Sequence, residues 1–397
     1  MEPKTMTDVV ITGAVRTAIG TFGGALAGTP PSVLAARCVA EALRRAGTAP
    51  EAVGHVVLGN VIPTEPRDAY IARVAALEGG LPKEVPAMTV NRLCGSGLQA
   101  IVSAAQSILL GDAEIAVAGG AESMSRAPHL LTTGRTGSRM GDAVLVDYML
   151  GALSDPFGNG HMGVTAENVA ERYAIPRAMQ DAFAAESQAR AARAIREGRF
   201  RDQILPIDVQ RKRETVAFDT DEHPKATSAD DLAKLRPAFS KTGSVTAGNA
   251  SGLNDGAAAL VLSSAAQAER DGATPLARIV GYAHAGVDPS EMGMGPVPAV
   301  RRLLERTGLR AGDFDVIESN EAFAAQACAV SRALDLDPDT VNPNGGAIAL
   351  GHPIGATGAI ITVKALYELA RTGGRYGLVT MCIGGGQGIA LALERVQ

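Results

Sequence analysis

One cysteine of this chain lies among glycines at a position where a thiol gains reactivity. Cys94 stands in the segment NRLCGSGLQA, between an expected strand and an expected helix. A thiol at the N-terminus of a helix meets free N–H groups and the positive end of the helix dipole, and both lower its pKa. The pattern favours a nucleophilic thiolate at Cys94. The alternative is a small buried core thiol, which is the usual role of cysteine.

A second cysteine lies in a similar setting. Cys382 follows the apolar run GLVTM and precedes the segment IGGGQG. A glycine cluster can bring backbone N–H groups against a reacting oxygen, as an oxyanion hole requires. The alternative is a flexible turn with a bystander thiol.

Three polar residues are candidates to assist a thiol. His352, in GHPIG, is a poor fit to a solvated surface and suits a base or hydrogen-bond donor. The alternative is a loop histidine whose hydrogen bonds are satisfied within the loop. His161, in HMG, has the same two interpretations. Asn320, in ESNEAF, ends an expected strand. It is first an N-cap candidate, and its amide can equally hold a water or a carbonyl.

A glycine pattern beside Cys94 matches part of a dinucleotide-binding motif. Gly95-x-Gly97-x-x-Ala100 has the spacing of that fingerprint, which needs an acidic residue at the end of the next strand. Glu114 has the required spacing but starts that strand. Glu122 ends the strand but lies beyond the required spacing. The nicotinamide interpretation is therefore a minor alternative, and the P-loop sequence for nucleotide phosphates is absent.

Composition excludes several classes of protein. The 397 residues are 46% apolar and 20% charged, with net charge −5, no Trp and 4% aromatics, which argues against a nucleic-acid partner. The six histidines and four cysteines are dispersed, so we expect no metal site and no disulfide framework. The N-terminal MEPKTMTDVVITG lacks signal-peptide features, and no run of 18 apolar residues occurs. We therefore expect no membrane span and a reducing, cytoplasmic location.

Short apolar runs and Ala-rich segments alternate along the chain and must position these residues. Strands are predicted at residues 9–11, 56–58, 115–118, 316–317 and 378–381, and helices at 32–46, 98–110 and 177–198. This alternation predicts a layered α/β sheet. Residues 126–246 are more polar and predict an insertion, in which 210–231 are expected to form a loop. The segments Thr89-Val90-Asn91 and Thr340-Val341-Asn342 echo each other and suggest two related halves.

Together these segments resemble the thiolase family over essentially the whole chain. The matching blocks, in family order, are VRTAIGTFGGAL, NRLCGSGLQAI, GGAESMS, HMGVTAEN, LRPAF, TAGNASGLNDGAA, NEAFAAQ, GHPIGATGA and CIGGGQG. Within the family, the segments GNVIPTEPRDAY and DPFGNGHMG are most similar to bacterial β-ketothiolases and acetyl-CoA acetyltransferases.

The resemblance implies an α/β fold of two βαβαβαββ halves in αβαβα layers. The expected division is 1–125 plus 247–275 for the N-terminal half, 126–246 for an inserted loop domain with coenzyme A and oligomer contacts, and 276–397 for the C-terminal half. A homotetramer, a dimer of dimers, is also implied.

The resemblance assigns catalytic roles residue by residue. Cys94 matches the acylated nucleophile, His352 the residue that deprotonates it, and Cys382 the second cysteine that handles the α-proton of acetyl-CoA. Asn320 matches the residue that holds a catalytic water and forms one oxyanion hole with His352. The backbone N–H groups of Cys94 and Gly384 match the other.

The resemblance also implies a tunnel for the pantetheine and acyl groups of coenzyme A. Ser251 matches a contact to the pantetheine arm, and Lys225 lies near the position expected for the adenine end. Positions that match the tunnel lining are Leu153, His161, Met162, Phe239, Ala247, Met292 and Phe323. Acyl-CoA and coenzyme A are then substrates and products, and no separate cofactor is expected.

The activity implied is a reversible Claisen condensation of acetyl-CoA with acetyl-CoA or a short acyl-CoA, through an acyl group on a cysteine. One alternative is a degradative 3-ketoacyl-CoA thiolase of broader chain length. Another is a related condensing enzyme such as a β-ketoacyl synthase, which the second cysteine disfavours. A non-catalytic acyl-CoA-binding protein is the alternative outside the enzymes, and the intact catalytic positions argue against it.

Overall fold

The computed structural model describes residues 8–396. The first seven residues of MEPKTMTDVVITG, the segment compared above with a signal peptide, lie outside the described residues. The strands are β1 Val9–Thr17, β2 Gly20–Thr21, β3 His55–Gly59, β4 Ala87–Val90, β5 Ile115–Ser123, β6 His129–Leu131, β7 Leu145–Asp147, β8 Ser154–Asp155, β9 Gly160–His161, β10 Ile204–Leu205, β11 Ile207–Arg211, β12 Glu214–Phe218, β13 Asn254–Ser264, β14 Ala277–Gly286, β15 Val316–Ser319, β16 Tyr376–Ile383 and β17 Gln387–Arg395. The helices are α1 Pro31–Ala46, α2 Ile71–Glu78, α3 Ser96–Leu110, α4 Tyr148–Ala152, α5 Met162–Arg172, α6 Arg177–Arg196, α7 Ala229–Ala233, α8 Ala265–Arg270, α9 Pro296–Thr307, α10 Ala324–Leu334, α11 Ala347–Leu350 and α12 Thr357–Thr372.

The main sheet is built from two arrays with the same strand order. The first runs β4-β3-β5-β13-β1, and the second runs β15-β16-β17-β14. Strands β3 and β5 of the first array and β15 and β16 of the second pair in parallel, and in each array the next two strands are antiparallel. The arrays meet at a short antiparallel pairing of β1 with β14 at Val10 and Ile11. The chain has therefore duplicated one α/β unit.

The sequence echo between the halves corresponds to equivalent positions in the structure. Thr89 and Val90 lie in β4, which pairs in parallel with β3. Val341 forms an isolated parallel bridge with Ile317 of β15, at the place where the second array would have its fifth strand. Each half thus follows the order βαβαβαββ, as expected, with one edge strand reduced to a bridge.

Two helices pack between the arrays and form the centre of the molecule. Helix α3 packs on β3 and β5, α12 packs on β15 and β16, and the two helices contact each other. Outer helices α1 and α9 cover the remaining faces of the arrays. Leu93–Leu110 is long and apolar enough to cross a membrane, but within the described residues it is the mostly buried segment around α3. These packing relations give the αβαβα layers.

The segment between β5 and β13 contains helices α4–α7 and the small strands β6–β12. Residues 210–231 were expected to form a loop, and that expectation is wrong in part. Strands β11 and β12 form a hairpin in which Ile207 and Val209 are buried, and α7 begins within the segment. Arg16 of β1 anchors the segment through a buried two-contact ion pair with Asp221, at 2.7 and 2.9 Å. The limits 1–125 plus 247–275, 126–246 and 276–397 stay our proposal for the domain organisation.

Candidate functional site

The turn before α3 presents the thiol of Cys94. Leu93 has a positive φ of 46°, which costs an L residue roughly 1–2 kcal/mol. The side chain of Asn91 accepts from the N–H of Leu93 at 3.0 Å. The hydroxyl of Ser96 accepts from the N–H of Arg92 at 2.8 Å and donates to the carbonyl of Leu93 at 2.6 Å. These bonds hold the strained turn that places Cys94, which is half-buried, at the start of the helix.

A matching loop before α12 presents His352. The backbone N–H of His352 donates to Oδ1 of Asn254 at 2.9 Å, and that of Gly355 donates to Oε2 of Glu122 at 2.8 Å. Gly351 has a φ of 106°, and a Cβ there would overlap the amide of Asn254, so glycine is required. Asn254 and Glu122, from β13 and β5, therefore fix this loop against the first half of the molecule.

Two glycines let the central helices approach closely enough to bring these loops together. A Cβ on Gly97 of α3 would lie 2.7 Å from the backbone nitrogen of Ala359 in α12. A Cβ on Gly358 of α12 would overlap the backbone of Leu98 in α3. The duplicated positions at the two helix starts thus become neighbours, although Cys94 and His352 are far apart in sequence.

We expect Gly358→Ala to destabilise the fold by about 1–3 kcal/mol, because the added methyl group meets backbone rather than a movable side chain. Thermal unfolding followed by circular dichroism measures this loss. Gly312→Ala is the matched control, since nothing lies within 4 Å of a Cβ there and its φ is not positive. Equal melting temperatures for the two variants would contradict this account of the helix contact.

Cys382 and Asn320 lie at the same edge of the second array. Cys382 is buried near the end of β16, and Asn320 directly follows the parallel strand β15. Nδ2 of Asn320 lies 3.5 Å from Nε2 of His352, and its Oδ1 is buried without a partner. The N-cap interpretation of Asn320 is wrong, because α10 begins at Ala324 with Phe323 in the N-cap position. The amide is therefore free to face the imidazole.

Burial sets the protonation states of the three reactive groups. It raises the pKa of the Cys94 thiol, against the opposing effect of the backbone N–H groups of Gly384 and of Cys94 itself. This reverses the lowered pKa that the helix position predicted. Burial also raises the pKa of Cys382 and lowers that of His352 to about 4. At neutral pH the site thus holds two thiols and an uncharged imidazole, and Cys94 needs a base.

An apolar cavity of about 340 Å³ connects most of the predicted site residues. Those that line it are Cys94, Leu153, His161, Met162, Phe239, Ala247, Ser251, Met292, Phe323, His352 and Gly384. Cys382 lies just behind this wall, in a buried cluster with Met162, Met292 and Phe323. Lys225 is exposed and is not part of the lining. The structure therefore brings the candidate catalytic groups and the candidate tunnel into one place.

Aromatic rings form one wall of the cavity. The ring of His161 stacks on Phe239 at 4.8 Å, and Phe239 meets Phe323 edge-on at 6.1 Å. Nδ1 of His161 accepts from the N–H of Gly163 at 3.0 Å and so caps α5, while burial lowers the pKa of its imidazole. His161 is therefore a neutral wall residue.

Sequence reasoning missed part of the lining and the residues that support it. The additional lining residues are Leu93, Met124, Leu150, Ala152, Ala238, Ala250, Gly252, Leu253, Ala322 and Ile354. Met124 and Ile354 lie inside two of the sequence blocks, GGAESMS and GHPIGATGA, which was the available signal.

Glu122 supports the loop of His352 and was also missed. Burial raises the pKa of Glu122 to about 8, although four N–H donors from Asn60, Val61, Ile62 and Gly355 converge on its oxygens.

The dinucleotide interpretation does not fit the structure. The space beside Gly95 is taken by the side chain of Ile383, and that beside Gly97 by the backbone of α12, so a pyrophosphate has no room there. Within residues 8–396, no group of three or more His, Cys, Asp or Glu side chains is arranged to hold a metal ion. The four cysteines, all inside that range, are free thiols.

Comparisons with known proteins match both halves of this chain. Residues 9–266 match the family described as thiolase, N-terminal domain, and residues 273–395 match thiolase, C-terminal domain. The chain is 64% identical to the beta-ketothiolase BktB of Cupriavidus necator, over 98% of this chain and 99% of that one. It is 56% identical to an acetyl-CoA acetyltransferase of Pseudomonas aeruginosa, over 98% and 100%.

Solved structures show the same fold. The Bacillus anthracis acetyl-CoA acetyltransferase superposes with a TM-score of 0.97 at 50% identity, covering 99% of this chain and 100% of that one. Human mitochondrial 3-ketoacyl-CoA thiolase in complex with CoA superposes with a TM-score of 0.95 at 44% identity, covering 98% of both. The family matches and the named relatives identify the chain as an acyltransferase. More particularly, the chain belongs to the thiolase family.

Proposed function

We propose that this protein condenses acetyl-CoA reversibly with acetyl-CoA or a short acyl-CoA to give a 3-ketoacyl-CoA and free coenzyme A. The observation that carries the proposal is one apolar cavity lined by Cys94 and His352, with Cys382 buried against its wall. The names of the relatives support the reaction, and the human structure supports coenzyme A as the ligand. The reaction needs no metal or separate cofactor.

In the first half-reaction the acyl group moves to Cys94. Nε2 of His352 takes the thiol proton, and the resulting thiolate attacks the thioester carbon of acyl-CoA. The carbon–sulfur bond to coenzyme A breaks, and the departing sulfur takes the proton of Cys382. The site then holds an acyl-Cys94, an imidazolium and a Cys382 thiolate, and these last two charges stabilise each other in the apolar cavity.

In the second half-reaction the carbon–carbon bond forms. The Cys382 thiolate removes a methyl proton from acetyl-CoA, and the carbanion attacks the acyl carbon on Cys94. The Cys94 sulfur leaves and recovers its proton from His352, so every group returns to its starting state. Burial raises the pKa of Cys382, and its thiolate is therefore a strong base, as a weakly acidic methyl group requires.

Two sets of donors serve the two negative oxygens. The backbone N–H groups of Gly384 and Cys94, which oppose the rise in the pKa of the Cys94 thiol, suit the tetrahedral intermediate. Asn320 and the imidazolium of His352 suit the enolate oxygen, with a water held by the amide. Removal of one such donor typically costs about 2.7–4 kcal/mol in the barrier.

The tunnel carries the pantetheine arm. We assign Ser251 as its polar contact, and Leu153, His161, Met162, Phe239, Ala247, Met292 and Phe323 as its walls. Lys225 is exposed, and we keep it as a candidate contact to the nucleotide end of coenzyme A only.

Loss of absorbance on mixing acetoacetyl-CoA with free coenzyme A tests the proposal. We expect rapid thiolysis that needs no metal, with ping-pong kinetics. Rates across 3-ketoacyl-CoA esters of increasing length separate a short-chain enzyme from a degradative thiolase of broader range. Strict dependence on malonyl-CoA would instead indicate a β-ketoacyl synthase, and tight binding without turnover would indicate a binding protein.

We also propose a homotetramer in the cytoplasm. Strands β6 and β7 and the segment between them expose several large apolar side chains. These are Leu130, Leu131, Met140, Val144, Leu145 and Val146. Such a patch favours burial against another subunit. Light scattering coupled to size-exclusion chromatography measures the subunit number.

A further inference from the structure

A buried hydroxyl contacts the imidazole of His352 on the side away from Asn320. Thr357 is the first residue of α12, one turn after His352. Its Oγ1 lies 2.7 Å from Nδ1 of His352 and 3.0 Å from the carbonyl oxygen of Pro353. Both side chains are buried, at 2% and 5% exposure. The hydroxyl therefore joins a ring nitrogen to a backbone acceptor.

Counting hydrogens assigns the tautomer of the ring. A threonine hydroxyl has one hydrogen to donate, and the carbonyl of Pro353 can only accept. Both contacts are satisfied together only if the hydroxyl donates to Pro353 and accepts a proton from Nδ1. The hydrogen-bond network thus places the ring proton of the neutral imidazole on Nδ1.

The other ring nitrogen is then an acceptor. Nε2 lies 3.5 Å from Nδ2 of Asn320, which is longer than an ordinary hydrogen bond and leaves its lone pair accessible. His352 lines the same cavity as Cys94, and burial without a charged partner keeps the ring neutral at pH 7. The lone pair of Nε2 is therefore the one left for a thiol proton.

We propose that Thr357 is a positioning residue that fixes His352 as the Nδ1–H tautomer and so leaves Nε2 as the base for Cys94. The proposal rests on the proposed function, in which His352 deprotonates Cys94. Without the hydroxyl, Nδ1–H would lose its buried acceptor, and the ring proton would be free to move to Nε2, where it blocks the base.

Thr357→Val removes the hydroxyl at nearly constant volume and is the main test. We expect the rate of Cys94 acylation, measured as the burst of coenzyme A released from acetyl-CoA, to fall by about 100-fold with little change in KM. The residual rate should rise with pH, because only spontaneously ionised Cys94 reacts. Thr357→Ser keeps the hydroxyl and should retain most of the rate.

Thr362→Val is the matched control. Thr362 is buried on the same helix, and its hydroxyl donates to the carbonyl of Gly358 at 2.7 Å, with no contact to an imidazole. Its acylation rate should stay near that of the wild type. A wild-type rate in Thr357→Val, or an equal loss in Thr357→Val and Thr362→Val, would overturn the proposal.

The nitrogen-15 spectrum of histidine-labelled wild-type protein gives a second test that needs no stable Thr357 variant. The signals of His352, assigned by their loss in His352→Ala, should show a protonated Nδ1 and an unprotonated Nε2. The opposite pattern contradicts the tautomer assignment, whatever the kinetics show. Absence of any acyl transfer in the wild type would instead refute the proposed function and leave this spectrum to decide the tautomer.

Discussion

Cys94→Ala is expected to lose acetyl transfer by about 10⁴-fold or more, which is the scale of removing a member of a nucleophile–base unit. No other cysteine is among the cavity-lining residues to replace the lost sulfur, and Cys382 is assigned to proton transfer. The fold should survive, because Cys94 is half-buried at the cavity surface and its loss opens little core space. Thiolysis of acetoacetyl-CoA measures the activity, and the melting temperature measures the fold.

Labelling with radioactive acetyl-CoA locates the lost step. The wild type should retain protein-bound acetyl after denaturation, and Cys94→Ala should retain none. Cys328→Ala is the matched control, since Cys328 is a free thiol on α10 outside the cavity lining and should leave label and turnover unchanged. Normal turnover by Cys94→Ala would end the assignment of the nucleophile.

Four of the five strands found from the sequence, β3, β5, β15 and β16, pair in parallel, whereas β1 pairs antiparallel with β13 and the parallel edge strand β4 was missed. The reason why these four were found is local. Parallel strands buried on both faces give continuous apolar runs, such as those in β3, β5 and β16. Strands β13 and β17 were missed because NDGAAALVLSS and QGIALALER have the alanine and leucine content of helices. Their strand character comes from pairing with distant partners, which no local pattern shows.

Strand ends were also underestimated for a non-local reason. Strand β1 continues to Thr17 through Arg16, a charge that normally marks the end of a buried strand. Asp221, 205 residues away, neutralises that charge inside the protein. The sequence contains both residues but nothing that links them.

The site shows the same division between local and distant information. Neighbouring glycines marked Cys94, Cys382 and His352 separately as candidates, and His352 is also followed by Pro353. Their convergence depends on the close approach of α3 and α12, which was visible only through the family resemblance. The sign of the Cys94 pKa shift was wrong because the helix start was visible in sequence and its burial was not.

Cys382→Ala is expected to separate the two half-reactions. Acylation of Cys94 should persist at a reduced rate, because a coenzyme A thiolate is a moderate leaving group even without a proton donor. Condensation should fall by about 10²–10⁴-fold, because the methyl proton of acetyl-CoA is very weakly acidic and loses its base. The variant should therefore accumulate radioactive acetyl on Cys94 and release little acetoacetyl-CoA.

Exchange of the acetyl-CoA methyl protons in deuterium oxide isolates the step assigned to Cys382. In the wild type, the thiolate formed during acylation should exchange these protons before the carbon–carbon bond forms, and mass spectrometry detects the added deuterium. In Cys382→Ala this exchange should disappear while the acetyl-enzyme remains. If the variant still exchanges the methyl protons at the wild-type rate, another group is the base. His352 would then be the next candidate, because it lines the same cavity as Cys94.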